Sequence, residues 1–401
     1  MKKILELLFL FFLLCFPLGG LGKFTLFNDV SVGIQDVALV FVIFSWAIIY
    51  KGKKLLSQPL ARPLFFFIGA MSLSLLVNIG RFESSQMLIT TLYLLRFIAY
   101  AMLYFVVRDL SSGFRKKVVN IILFIGGVVV GLGYLQYFFY PNLRNLYYAG
   151  WDEHLYRMFS TFLDPNFAGA FFVFFSVFLS GILFTREKKD KSRWVLRVLL
   201  LITIGAVFLT FSRSAYIMFI VSFILFFYLI KKRVYIGFFV LFSLFVILFM
   251  QFLPQSEGTN LLRIASGISR VESANRAIAI FKDNPIFGVG FNTYQFTQPK
   301  YGYVKKTLYK DHAVSGTDNS FLFVLATTGI VGFFSYMLLL YTMFRQSLLV
   351  FKRGETVNTY RALVFFCFLG GLLCSAMFVN SLFYPFLMQW VFISFGLIEN
   401  A

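Results

Sequence analysis

The chain has 401 residues, of which 59% are apolar and 13% charged, with 57 Phe and a mean hydropathy of +0.81. Soluble domains carry about 45–50% apolar and about 25% charged residues, so this excess fits no single aqueous core and points to a polytopic membrane protein. A soluble enzyme, a disordered chain and a nucleic-acid-binding domain are excluded, and the net charge of +20 has to be read loop by loop.

The chain opens with Lys2 and Lys3 before a Leu/Phe run to Leu18. No good small-x-small cleavage site follows, so this reads as an uncleaved first helix, with a cleaved secretory signal as the alternative. Apolar stretches long enough to span a bilayer then recur near 33–50, 62–79, 87–107, 118–138, 164–184, 194–211, 214–230, 234–253, 319–344, 360–379 and 383–399. With the first, near 4–21, they predict an all-α fold of about twelve transmembrane helices.

Charge sets the orientation. One set of alternate loops, with the N-terminus, holds 23 Lys and Arg, and the short segments of the other set hold 5. The positive-inside rule therefore places both termini in the cytoplasm. The chain reads as a single membrane domain over 1–401 with two outward loops, 139–163 and 254–318, the second between helices 9 and 10. Connections are usually short, and long ones are often functional.

The three cysteines, Cys15, Cys367 and Cys374, lie in apolar runs without metal-ligand or disulfide spacing. With two histidines, His154 and His312, no metal site is expected.

The outward side carries the unusual chemistry. Residues 260–281 read as helical, with a possible break at Gly267. Arg263 and Arg270 then share a face, and Glu272 and Arg276 are spaced to pair. Arg213 stands between two spans with almost no room for a loop, which puts it near the outer membrane–water boundary. Its structural alternative is a snorkelling interfacial arginine. Arg96 lies inside a span, where a charge needs a partner or a cavity. Guanidinium groups bind phosphate oxygens bidentately, and more strongly where water is scarce. A lipid-linked diphosphate would lie at the depth of Arg213.

Other residues admit two readings. Asp318 opens a helix, as an N-cap or as a general base for a hydroxyl. His312 is a base, a proton shuttle or a solvated loop residue. Asp164 and Pro165 suit a helix start, leaving Asn166 to face a sugar. Arg157 can meet phosphate or anchor its loop. Asn284, Pro285, Gly288 and Gly290 look like turn chemistry, and Trp151 and Tyr294 are candidates for stacking on sugars.

Four segments carry a resemblance: RMFSTFLDPNFAGAFF at 157–172, TFSRSAYIMF at 210–219, SRVESANRAIAIFKDNPIFGVGFNTY at 269–294 and TDNSFLFVLATTGIVGF at 317–333. In order and spacing, across roughly 30–400, the chain resembles the bacterial O-antigen ligase and polymerase family. The resemblance implies a metal-independent, inverting membrane glycosyltransferase with no cofactor. Its donor would be a polyprenyl-diphosphate-linked glycan, its second substrate a glycan acceptor, and its surroundings the lipids of the bacterial inner membrane. The active face would be periplasmic or extracellular. A chain-length regulator and a flippase of the same pathway are possible partners.

By the same resemblance Arg213 contacts the donor diphosphate. Arg270 fits a second family arginine, with Arg276 as fallback. Ligases of the family typically carry a histidine where this chain has Asp318. That departure shifts the expectation toward a polymerase of surface polysaccharide. A ligase acting on a lipid-core, protein or wall acceptor is the alternative, and a polysaccharide or lipid transporter a second one.

Overall fold

The computed structural model describes residues 1–25, 30–52, 55–185, 190–252, 256, 258–261, 264–303, 316–354 and 356–398. In chain order its helices are α1 (Lys2–Leu14), α2 (Ile34–Tyr50), α3 (Ala61–Val77), α4 (Ser84–Asp109), α5 (Ser112–Phe139), α6 (Pro165–Thr185) and α7 (Ser192–Leu209). They continue as α8 (Arg213–Leu229), α9 (Val234–Met250), α10 (Ala265–Asp283), a short α11 (Tyr294–Thr297), α12 (Ser320–Arg353), α13 (Thr356–Ser375) and α14 (Pro385–Ile398). The described strands, β1 (Lys23–Thr25) and β2 (Ser31–Gly33), pair antiparallel as a small hairpin between α1 and α2.

Each predicted apolar stretch coincides with a helix. Six of these helices are long and apolar enough to cross a membrane: α4, α5, α6, α7, α12 and α13. A seventh crossing arises if α1 and the 3-10 turn Phe16–Gly22, bent by 58°, form one span. Helices α2, α3, α8, α9 and α14 are apolar but shorter. The chain is thus an all-α, multi-pass membrane protein; the count of twelve crossings and their orientation remain readings of hydropathy and charge.

Helices α6, α13 and α14 form the centre. Every residue from Phe386 to Ile398 is buried, and α13 packs on α8, α6, α12 and α14. Lipid tails are as apolar as these side chains, so close packing rather than the hydrophobic effect holds such helices together. Small residues permit it: a Cβ on Gly181 of α6 would fall 2.3 Å from Val364 of α13, and one on Gly371 of α13 would fall 2.0 Å from Ser222 of α8. Helix α9 sits at the edge, buried only at Ser243 and Met250, with a Phe-rich face turned outward.

Helix α12 is broken. Gly329 has φ 64° and ψ −165°, so the ladder of helix hydrogen bonds is interrupted there. The segment after Asn284 enters the gap. Val289 and Gly290 donate their amides to the carbonyls of Ala326 and Thr327, and Ile330 and Val331 donate to Pro285 and Ile286. Ser74 of α3 donates to the carbonyls of Phe287 and Thr327, and Asn78 to that of Gly288. Non-helical backbone at membrane depth is tolerable only when its polar groups find partners in the protein. The NPIFGVG turn supplies them here.

Candidate functional site

The site is assembled where α6, α8, α10 and α12 begin. Helix α7 ends at Leu209 and α8 starts at Arg213, so the expectation of almost no loop between them holds. Ser212 caps α8, its hydroxyl accepting from the amide of Ala215. The same hydroxyl donates to the side-chain oxygen of Asn166 at 2.8 Å. Asp164 accepts the Asn166 amide at 2.6 Å and so starts α6, with Pro165 as its first helical residue. The two motifs are thereby tied together, and Arg213 stands half-buried on the first turn of α8, donating to the Leu261 carbonyl at 3.4 Å.

Arg157 is buried and braces this corner. Its Nε donates to the Thr210 carbonyl at 2.9 Å and its Nη2 to that of Phe211 at 3.4 Å. Carbonyls at the end of α7 lack helical partners, and a guanidinium satisfies two of them. The geometry fits the loop-anchoring alternative and sets the turn that presents Arg213.

Helix α10 begins at Ala265, so Gly267 lies inside its first turn and does not break it. Glu272 and Arg276 pair at 3.3 Å. Arg270 faces elsewhere: it feels the charges of Asp318, Arg213 and Asp164. Burial lowers its pKa, and the positive charge of Arg213 acts in the same direction, while Asp318 and Asp164 oppose it. One turn on, Ser273 accepts the amide of Asp318 at 3.2 Å and donates to the Thr317 hydroxyl at 3.2 Å. This serine fixes the residues before α12 against α10. Arg276 instead acts on Tyr294, a fully buried ring whose phenol burial pushes up to about 12. Its burial leaves Tyr294 no face for a sugar from solvent.

Asp318 does not cap α12. Asn319 does, its side-chain oxygen accepting the amides of Phe321 and Leu322 at 2.9 and 3.0 Å. The Asp318 carboxylate is left for other work. Burial raises its pKa, the nearby Arg270 pulls it down, and Asp152 raises it. Asp152 lies within electrostatic reach of Asp164 as well. Asp152 belongs to the segment 139–163, and no local motif marks it. His312 and Arg263 lie outside the described residues. His154 packs its ring 6.4 Å from that of Phe159, and Trp151 packs on the cluster of Leu143, Phe159 and Leu163.

Arg96 has a structural partner. Its Nη2 donates to Asp36 Oδ2 at 2.9 Å and to the Ser31 carbonyl at 2.6 Å.

Arg270 therefore lies within electrostatic reach of both Arg213 and Asp318, so that residues from three separate motifs act on one another. Residues 198–337, from α7 to the middle of α12, match the family model described as O-antigen ligase. The chain resembles the O-antigen ligase and polymerase family. The match contains Arg213, Arg270, Arg276 and Asp318, and it ends just past the break in α12. A search of curated proteins finds no match.

Proposed function

We propose that the protein is a membrane glycosyltransferase that joins polyprenyl-diphosphate-linked oligosaccharides into surface polysaccharide on the outer face of the bacterial inner membrane. The observation that supports this reading is that Arg270 lies within electrostatic reach of both Arg213 and Asp318. Two guanidinium forks suit the four or more oxygens of a diphosphate, and their partial burial strengthens each contact. Placed at the leaving group, they stabilise its charge as the glycosidic bond to phosphate breaks. That role needs no metal ion.

Asp318 is the base in this reading, taking the proton of an acceptor hydroxyl as it attacks the anomeric carbon from the opposite side. Burial and Asp152 make it a stronger base than an ordinary carboxylate. His312 is the second candidate for that role. In this reading Asn166, hydrogen-bonded to Ser212, orients a sugar, and Arg157 acts through the turn it braces. Asp318, where ligases typically carry a histidine, favours polymerase over ligase.

The test uses the purified full chain in nanodiscs with a polyprenyl-diphosphate-linked repeat unit as donor and acceptor. A ladder of products that vanishes with Arg213→Ala supports the polymerase. Transfer only after addition of a lipid-core or protein acceptor means a ligase. No transfer in either arm overturns the reading.

A further inference from the structure

A second charged cluster lies beside the site, at the outer ends of α1 and α2. Asp36 is fully engaged there. Its Oδ1 accepts from the Tyr100 hydroxyl at 2.9 Å, and its Oδ2 accepts from Arg96 at 2.9 Å and from the Gly33 amide at 2.8 Å. Arg96 is thus neutralised, and Lys23 is left over. Its ammonium lies 5.8 Å from the ring centroid of Tyr384 and 5.4 Å from that of Phe386. Among the described residues no carboxylate reaches it. Burial, with the charge of Arg96, brings its pKa down to about 8 against the opposing pull of Asp36.

Lys23, Asp36, Arg96, Tyr100 and Phe386 line a cavity of about 20 Å³ whose walls include Gln35. Gln35 is buried, and its amide donates to Gln389 at 2.8 Å. Its own Oε1 has no hydrogen-bond partner. A buried orphan acceptor costs free energy unless a donor arrives. A water needs about 10–15 Å³ of such space, so the cavity admits one or two oxygen-sized groups and no sugar ring. Leu18, Gly22 and Lys23 on its wall are at least partly exposed. The neighbourhood is continuous with the site already described. Tyr384 stacks on Phe167 with centroids 3.6 Å apart, donates to the Phe162 carbonyl, and lies within electrostatic reach of Asp164.

We propose that this pocket is a subsite for a carboxylate carried by the glycan, so that the oligosaccharides this chain handles contain an acidic sugar. The carboxylate meets the partly exposed Lys23 ammonium at the mouth, a neighbouring hydroxyl enters the cavity and donates to Gln35 Oε1, and the sugar ring stays outside beside Leu18 and Gly22. The Lys23 ammonium thereby gains a carboxylate and Gln35 Oε1 a donor. The identity of the ligand as a glycan rests on the transferase reading; the anion pocket itself does not.

The test is binding of D-glucuronate to the purified full chain in nanodiscs by ligand-observed NMR, with D-glucose as the neutral control and inorganic phosphate as a second anion. Wild-type protein is expected to bind glucuronate and not glucose. Lys23→Met weakens binding by about tenfold, the size of one charge-assisted contact. Lys23→Arg restores part of it. Equal binding by wild type and Lys23→Met overturns the proposal. So does absence of glucuronate binding, or phosphate binding at Lys23 without glucuronate binding. Failure of the transferase reading is separate: it appears as no transfer from the lipid-linked donor while glucuronate still binds through Lys23.

Discussion

Ser273 accepts the backbone amide of Asp318 at 3.2 Å, and Arg270 lies one turn before that serine on the same helix. The contact crosses 45 residues. It makes the distance from the α10 guanidinium to the Asp318 carboxylate a property of one hydrogen-bonded corner and not of two independent loops.

Arg213→Ala is expected to abolish transfer, with a loss of about a hundredfold or more, the usual scale for removing a donor to developing negative charge. Arg213→Lys should recover little, since a point charge does not reproduce a planar fork. Arg276→Ala should cost far less, because that side chain is paired with Glu272 on an exposed face. Initial rates of product-ladder formation, normalised to folded protein by size-exclusion chromatography, check all three. Equal losses for Arg213→Ala and Arg276→Ala would sink the assignment.

Asp318 works as a base only when ionised. Its pKa is raised, so transfer should fall on acidification at a pH above that of an ordinary carboxylate, about 3.9. Asp152→Asn removes a neighbouring negative charge that raises this pKa, and the acid limb should then move to lower pH. Asp318→Asn should be nearly inactive with no such limb. A pH–rate profile of the three proteins decides it, and an unmoved limb in Asp152→Asn would remove Asp152 from the argument.

Gly329→Ala should unfold the core of the site. A Cβ there would lie 2.2 Å from the Ile286 carbonyl oxygen, and φ is 64°. Gly288→Ala is the matching change on the other side of the interlock, with a Cβ 2.4 Å from the Thr327 carbonyl carbon. Each should cost about 2–4 kcal/mol, as steric intrusion combined with backbone strain usually does. Fluorescence-detected melting of the detergent-solubilised chain measures it, and melting temperatures within a degree of wild type would contradict the interlock.

Arg96→Ala leaves Asp36 without its guanidinium partner, with both side chains about one-fifth exposed. Breaking a largely buried pair from one side costs about 3 kcal/mol. The double variant Asp36→Asn with Arg96→Gln should be the milder, because no lone charge remains. A double-mutant cycle in thermal stability tests this: additive losses would mean the pair is uncoupled.

The spans were legible because each is a long apolar run bounded by charge, and every such run is a helix. The position of Arg213 was legible for a similar reason: two apolar runs abut around it and leave no residues for a loop. Spacing alone singled out Arg270, and tertiary contacts put it near Asp318 and Arg213 while Arg276 turned to Glu272. Other relationships had no local signal. Asp36 and Arg96 are 60 residues apart, and nothing in either segment names the other. Asp318 and Asn319 are both good caps, and only the fold decided that Asn319 caps α12 and frees Asp318. The glycines near 288 looked like an ordinary turn, but they fill a break in α12 some forty residues later. The physical reason is common to all of these. In a membrane, a helix face that meets lipid is as apolar as one that meets protein. Hydropathy therefore sets where the chain crosses, and packing geometry alone decides which helices, and which charges, come together.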